Sequence, residues 1–158
     1  MPGERVFLLG DSGGRLRSFV TALERFPAEP EWVVVGGFAV NVRVSYAHRL
    51  TNDLDTVSRD QTELVEVLIE TPGSERVGAG RLRFTDGGTD VNIDVMADTT
   101  DAALPREPSD RAFALARRLA LVTAEPTELV VIERTQTVAA AAAPATTPTP
   151  HAASTTWP

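Results

Sequence analysis

Apolar and polar positions follow two different periods along the chain, which predicts alternating helices and strands. The first helix is predicted where apolar residues recur every three or four positions and two prolines follow: Leu16, Phe19, Val20, Leu23 and Phe26, then Pro27 and Pro30. The β-branched run EWVVVGG is typical of a buried strand that ends in glycines. A weakly patterned helix from Phe38 to about Tyr46 is expected next, and TNDLDTV is predicted as a second short strand.

Two later segments carry stronger helical signals. In RDQTELVEVLIETPG, Asp60 and Glu63 have the spacing of a capping box, and Pro72-Gly73 ends the segment. The apolar stripe of this helix consists of Leu64, Val67 and Leu68. In PSDRAFALARRLALV, the helical period predicts an inward face made of Phe113, Leu115 or Ala116, and Leu119.

The segment RLRFTDGGTDVNIDVM predicts a β-hairpin, because two alternating runs flank Gly87-Gly88. A two-residue turn at these glycines places apolar residues opposite each other on one face: Leu82 with Ile93, and Phe84 with Val91. On the other face, it places Arg83 opposite Asn92 and Arg81 opposite Asp94, the latter as ion-pair partners. A shift of one residue would turn both sets to the wrong side. Together these elements predict an α+β (α/β) fold, a small mixed β-sheet flanked by helices.

Composition restricts the class of protein. The chain has 158 residues, of which 42% are hydrophobic and 23% are charged, as in one soluble globular domain. No stretch approaches the roughly 18 apolar residues that span a bilayer, and the first residues do not resemble a secretory signal. With no cysteine, a cytoplasmic location is expected. The formal net charge of −7 argues against a non-specific nucleic-acid coat protein, and all 15 basic residues are arginine, which excludes a catalytic lysine.

The composition changes near the C-terminus. Alanine, threonine and proline dominate after about Val138, and few residues there can fill a core. We therefore predict one domain over residues 1–138 and a disordered tail over residues 139–158.

Three aspartates form the most informative polar pattern. Asp53 and Asp55 lie two positions apart on a predicted strand, so their side chains share a face while Leu54 points into the core. Neighbouring carboxylates repel each other, and a divalent cation such as Mg²⁺ removes that penalty. Asp94 lies on the polar face of the predicted hairpin. Three carboxylates on adjacent strands suit a metal site for displacement at phosphorus, whereas Asp-x-Asp alone often marks a solvated strand end.

The glycine pair Gly36-Gly37 favours the metal-site alternative. It ends a predicted strand and opens a predicted helix, where backbone N–H groups can approach phosphate oxygens with no side chain in the way. The alternative role for the pair is a simple tight turn. A double glycine, two aspartates on the next strand and a third on a later strand form a much rarer combination than any one of them alone.

The motifs GGFAV, HRLTNDLD and VNIDVM resemble the nucleotidyltransferase superfamily of DNA polymerase β type. Within it, the R-x-T-x-D-L-D segment is most similar to the AbiEii/MenT group, the toxins of type IV toxin–antitoxin systems. The resemblance covers roughly residues 30 to 120, and its matching residues are Gly36, Gly37, Arg49, Thr51, Asp53, Asp55 and Asp94.

This resemblance implies an enzyme that uses an NTP and Mg²⁺, or Mn²⁺ in its place. The glycine loop would hold the triphosphate, Asp53 and Asp55 would bind the metal ion, and Asp94 would complete the metal site or help to deprotonate the acceptor hydroxyl. Arg49 would reach the phosphates or form a salt bridge that supports the aspartates. The acceptor would be a tRNA 3′ end or, as in some relatives, a protein hydroxyl. A cognate antitoxin would be a partner, and a membrane would not.

Two departures from the family pattern keep other functions open. The family carries a lysine in the last helix, where this chain has Arg117 and Arg118. We expect Arg117 to grip a phosphate with two hydrogen bonds, but arginine does not serve as a base. The Ala/Thr/Pro segment replaces the helical region that follows in the family, which affects acceptor binding more than metal binding. The alternatives are nucleotidylation of a protein or a small molecule, and a non-catalytic remnant of the fold that binds nucleotide.

Overall fold

A computed structural model of the protein describes residues 4–9, 14–44, 51–132 and 152–156. Helices and strands are mixed along the chain, which confirms the predicted α+β class. In chain order the elements are β1 (Glu4–Leu9), α1 (Arg15–Leu23), β2 (Trp32–Val35), α2 (Gly36–Val44), β3 (Asp53–Ser58), α3 (Gln61–Ile69), β4 (Ser74–Arg76), β5 (Arg81–Asp86), β6 (Thr89–Ala97), α4 (Pro108–Ala120), β7 (Thr127–Ile132) and β8 (Ala152–Thr156).

The larger sheet has five strands in the order β2-β3-β6-β5-β4. β3 pairs antiparallel with β2 and parallel with β6, while β6, β5 and β4 pair antiparallel with one another in turn. The sheet is therefore mixed, as predicted. Because β3 and β6 run parallel, the chain must cross over between them, and it does so through α3, β4 and β5.

The hairpin of β5 and β6 has the predicted register. Gly87 and Gly88 form its turn with φ of 54° and 84°, the left-handed conformation that a two-residue hairpin turn requires. Both predicted apolar pairs are present and buried: Leu82–Ile93 and Phe84–Val91. Arg81 lies opposite Asp94 and Arg83 opposite Asn92, so the hairpin separates an apolar face from a polar one.

The cap of α3 is confirmed, and its buried stripe is partly different from the prediction. The Asp60 carboxylate accepts a hydrogen bond from the Glu63 backbone N–H at 2.9 Å, as a capping box requires. Leu64 and Leu68 are buried, but Val67 is 38% exposed and Val65 is buried in its place. The helix contacts β3, β4, β5 and β6, so its inward face is broad and includes the residue next to Leu64.

A second sheet, in the order β1-β7-β8, is not predicted by the sequence pattern. β1 pairs in parallel with β7, and the inward side chains of the two strands belong to the main hydrophobic core: Val6, Leu8, Leu129 and Val131. β8 pairs antiparallel with β7, although it lies in the segment predicted as a disordered tail. The open edge of β7 gives this Ser/Thr-containing run a hydrogen-bonding partner, and the division of the chain into a domain and a tail stays a prediction.

The face of α4 that was predicted to point inward is not buried. Phe113 and Leu119 are 58% and 54% exposed, and Leu115 is also exposed, whereas Ala114 is buried. The residues that turn inward follow the helical spacing i, i+3, i+4 and i+7: Ala114, Arg117, Arg118 and Leu121. The physical reason is that this face packs through polar contacts, since the Thr99 hydroxyl donates to the Ala114 carbonyl at 2.5 Å.

No helix within the described residues has both the length and the apolar character needed to cross a membrane.

Candidate functional site

The three predicted aspartates lie on the polar side of β3 and β6. Asp53 and Asp55 are half-buried, and Leu54 between them is fully buried, as the strand period predicts. The parallel pairing places Asp94 directly opposite Asp55, and Asn92 directly opposite Asp53. Residues that are distant in sequence thus form one acidic group at the centre of the sheet.

Burial and the neighbouring carboxylates raise the pKa of Asp55. Desolvation is the largest cause, followed by the negative charges of Asp94 and Asp53, while the charge of Arg81 acts in the opposite direction. Repulsion of this kind is expected where carboxylates share one face of a sheet. A divalent cation bound between these side chains would relieve it.

Asp94 forms a bidentate ion pair with Arg81, which confirms the interaction predicted from the hairpin register. Arg81 Nε donates to Asp94 Oδ1 at 2.5 Å, and Arg81 Nη2 donates to Asp94 Oδ2 at 2.7 Å. The hydrogen bonds to Asp94, and then its negative charge, raise the pKa of Arg81. Both carboxylate oxygens of Asp94 are therefore engaged by the guanidinium group.

Gly36 and Gly37 begin α2 and lie directly against the residues that precede and form β3. Gly36 has a φ of 68°, and a Cβ at this position would overlap the Oδ2 atom of Asp55. A Cβ at Gly37 would lie 3.3 Å from the Cβ of Thr51. Because these two residues have no side chain, the start of α2 approaches Asp55 and Thr51 closely. The helix begins at Gly36, two residues before the predicted start at Phe38.

Thr51 and Asn92 hold Asp53 from two sides. The Thr51 hydroxyl donates to the Asp53 carbonyl at 2.9 Å and accepts from the Asp53 backbone N–H at 3.3 Å. Asn92 Nδ2 donates to Asp53 Oδ1 at 3.2 Å. Asn92 was not among the predicted site residues, yet it lies two positions before Asp94, so the strand period places both on one face. Arg49, which was predicted to reach the phosphates, lies outside the described residues.

A cavity of about 240 Å³ lies between the larger sheet and α4. Its polar lining includes Gly36, Asp55 and Arg117, three residues that the sequence singled out and that come from different elements. Arg117 Nε is buried and has no hydrogen-bond partner within the part of the chain that the structure describes. The Arg117 guanidinium carbon lies 5.2 Å from the centroid of the Phe113 ring, which together with Met96 forms an apolar wall of the cavity.

A second cavity of about 240 Å³ lies between β2, α2 and the C-terminal end of α4. Its lining includes Trp32, Arg43 and Glu125, and the last two form an ion pair at 3.2 Å. The predicted aspartates and glycines do not line it. The chemistry predicted from the sequence therefore belongs to the first cavity.

The carboxylates fit a hard divalent cation by their chemistry, because Mg²⁺ and Mn²⁺ prefer oxygen ligands. In residues 4–9, 14–44, 51–132 and 152–156, no three His, Cys, Asp or Glu side chains are arranged so that they could hold a metal ion as they stand. Asp53 and Asp55 share one face, whereas Asp94 has both oxygens on Arg81. Asp53 and Asp55 thus form the part of the site that fits a cation directly, and Asp94 must leave Arg81 to join them.

No protein-family model, no curated protein and no solved structure matches the chain.

Proposed function

We propose that the protein is a metal-dependent nucleotidyltransferase that moves an NMP from an NTP to an acceptor hydroxyl and releases pyrophosphate. The proposed acceptor is a tRNA 3′ end, and the proposed role is that of a toxin with a cognate antitoxin. The shared cavity is the main support: Gly36, Asp55 and Arg117 line it together, and Asp94 lies opposite Asp55. Backbone donors, carboxylates and a guanidinium group are the three kinds of ligand that a metal-bound triphosphate requires.

In this mechanism, Gly36-Gly37 and Arg117 bind the triphosphate. The first N–H groups of a helix lack intrahelical partners, and the absence of side chains lets a phosphate approach them. Arg117 Nε would donate a charge-assisted hydrogen bond to a phosphate oxygen. The nucleoside would lie against Phe113 and Met96, the apolar part of the cavity.

Asp53 and Asp55 would hold Mg²⁺ or Mn²⁺, which when bound supplies charge neutralisation at the reacting phosphate. The acceptor oxygen forms a bond to the α-phosphorus as the bond to the pyrophosphate oxygen breaks. Asp94, once released from Arg81, would complete the metal site and take up the proton of the acceptor hydroxyl. Asn92 and Thr51 keep Asp53 in position, so the protein contributes mainly by orienting groups and stabilising charge.

Label transfer tests the proposal. The protein is incubated with each NTP labelled at its α-phosphate, with Mg²⁺ and with total tRNA. We expect labelled tRNA with the wild-type protein and a loss of about a hundredfold or more in Asp53→Asn. Asp90→Asn is the matched control, because Asp90 also lies on β6 but bonds to the Thr85 hydroxyl at 2.7 Å, and it should keep its activity.

The Arg81–Asp94 ion pair supports a second candidate, a protein that binds nucleotide but does not transfer it. In that case NTP binds, and no label reaches tRNA, protein or small molecules under any metal condition. Label on protein alone, lost in Asp53→Asn, would instead indicate nucleotidylation of a protein. Equal transfer by the wild-type protein and Asp53→Asn would exclude the proposed site.

A further inference from the structure

The three aspartates have a positively charged neighbour within the same sheet. The Arg81 side chain is 60% exposed, whereas that of Asp94, which it binds, is 23% exposed. The charge of Arg81 acts on Asp94, Asp53 and Asp55, so it partly neutralises the whole acidic group. The Arg81 guanidinium thus offsets the repulsion among these carboxylates, as a bound cation would.

The position of Arg81 follows from the pairing of three strands. Arg81 lies opposite Asp94 across β5 and β6, and Asp94 lies opposite Asp55 across β6 and β3. Directly paired residues point to the same face, so the three side chains form one row across strands about 4.8 Å apart. A cation that binds Asp55 and Asp94 together would therefore compete with Arg81 for Asp94.

We propose that Arg81 is an exchangeable counter-ion that holds Asp94 in the metal-free protein and is displaced when a divalent cation binds Asp94. The inference rests on the proposed function, because it takes the three aspartates as metal ligands. The exchange is feasible because an exposed ion pair contributes little and the released guanidinium returns to water. The divalent cation carries twice the charge and attracts each carboxylate more strongly than Arg81 does.

Mn²⁺ binding to the full chain without nucleotide tests this exchange, with free Mn²⁺ followed by electron paramagnetic resonance. Arg81→Met removes the competitor, so Mn²⁺ should bind about fivefold more tightly, as expected from the loss of an exposed ion pair. Arg83→Met is the matched control. It removes the same charge from the same strand, but Arg83 lies opposite Asn92, and its effect should stay below about twofold because of solvent screening.

A second variant and a second measurement separate competition from a general loss of structure. Arg81→Lys keeps the charge but loses the bidentate grip, so its Mn²⁺ affinity should lie between those of the wild-type protein and Arg81→Met. In thermal unfolding, Arg81→Met should be less stable than the wild-type protein without metal. Saturating Mn²⁺ should then raise its melting temperature by more than that of the wild-type protein.

The outcomes distinguish this inference from the proposed function. If Asp53→Asn abolishes Mn²⁺ binding but Arg81→Met leaves the affinity unchanged or weaker, the metal site stands and the counter-ion role is wrong. Equal tightening in Arg81→Met and Arg83→Met would also overturn it, because the effect would then be a general one of charge. If neither the wild-type protein nor Arg81→Met binds Mn²⁺ saturably, both the metal site and the counter-ion role fail.

Discussion

The hairpin of β5 and β6 and the helix α4 are both predicted from the sequence, but they are attached to the fold in different ways. In the hairpin, the apolar residues are buried in the predicted register, as Leu82 and Ile93 show. In α4, the large apolar residues Phe113 and Leu119 are exposed, and the inward stripe carries two arginines. A strand paired through a two-residue turn has one register, whereas the face that a helix buries depends on the surface it meets.

The forces that hold the two regions differ accordingly. The hairpin contributes five buried apolar side chains to the core, whereas α4 is attached largely by hydrogen bonds to the loop before it. Arg118 Nη2 donates to the carbonyls of Thr99 and Ala102 at 2.9 and 2.8 Å, and the Thr99 hydroxyl donates to Ala114. We therefore expect the hairpin to determine global stability and α4 to respond more readily to a ligand in the adjacent cavity.

The largest expected difference is in the cost of removing a leucine. Leu82 has no exposed surface, so Leu82→Ala should lower the free energy of unfolding by about 2–5 kcal/mol. Leu119→Ala in α4 should change it by less than about 0.5 kcal/mol, because Leu119 is largely exposed. Urea denaturation measures both values, and similar losses would show that α4 is part of the core after all.

A smaller and more local effect is expected at Thr99. Thr99→Val removes the buried hydroxyl that bonds to Ala114 and should cost about 1–3 kcal/mol. Amide hydrogen exchange should accelerate in α4 and stay unchanged in the hairpin, because the lost contact anchors only the helix. Thr85→Val, which removes an exposed hydroxyl bound to Asp90, is the control. Uniform acceleration in both regions would contradict separate attachment.

The pH dependence of stability provides a finer test of the comparison. The pKa of Asp55, which lies beside β6, and the pKa of Asp98, which precedes α4, are shifted in opposite directions. Burial, then the charges of Asp94 and Asp53, raise the pKa of Asp55, so the folded state binds this proton more tightly than the unfolded chain. Stability should therefore decrease as pH rises from the ordinary value of 3.8 through the raised pKa. Asp55→Asn should remove this decrease and stabilise the protein at pH 7 by less than about 1 kcal/mol, allowing for solvent screening.

For Asp98, burial alone would raise the pKa, but the Thr100 hydrogen bonds and the charge of Arg59 lower it overall. Its contribution to stability is present above the ordinary value of 3.8 and is lost as pH falls through the lowered pKa. Asp98→Asn should therefore destabilise the protein at neutral pH. Denaturation curves from pH 3 to pH 7 measure both variants, and changes of the same sign would contradict the assigned environments.

The smallest effect on stability is expected at Phe113. Phe113→Ala should leave the free energy of unfolding within about 0.5 kcal/mol of the wild-type value, because the ring is 58% exposed. It should nevertheless weaken NTP binding by about three- to tenfold, since aromatic contacts with a base contribute on the order of 1 kcal/mol or more. Leu115→Ala is the control outside the cavity lining. Fluorescence titration with NTP measures the affinity. Equal affinities of the two variants would show that Phe113 does not contact the nucleotide.

Sequence patterns correctly predicted the features that depend on residues close to one another along the chain. The Asp60–Glu63 cap, the Gly87-Gly88 turn and the Arg81–Asp94 ion pair all follow from spacing along one segment. The pairing of Asp55 with Asp94 is different, since the sequence placed both on polar strand faces without showing that β3 and β6 are direct neighbours. The metal ion, the NTP and the acceptor stay predictions.

Other features depend on partners that sequence spacing does not reveal. β1 and β7 are short apolar runs from opposite ends of the core, and each becomes a strand by pairing with the other. In α4, Arg117 and Arg118 face inward because polar groups and a cavity receive them. A rule that sorts residues by hydrophobicity assigns arginines to solvent and large apolar residues to the core, whereas Leu119 and most of the Phe113 surface are exposed.

The parallel pairing of β3 with β6 also has a consequence for folding. Asp55 and Asp94 are separated in sequence by α3, β4 and β5, and they become neighbours through the pairing of their strands. Contacts between residues far apart in sequence form slowly, because the intervening chain must first be ordered. We therefore expect the acidic group to assemble late, so that a chain still emerging from the ribosome lacks the complete acidic group until β6 has been made.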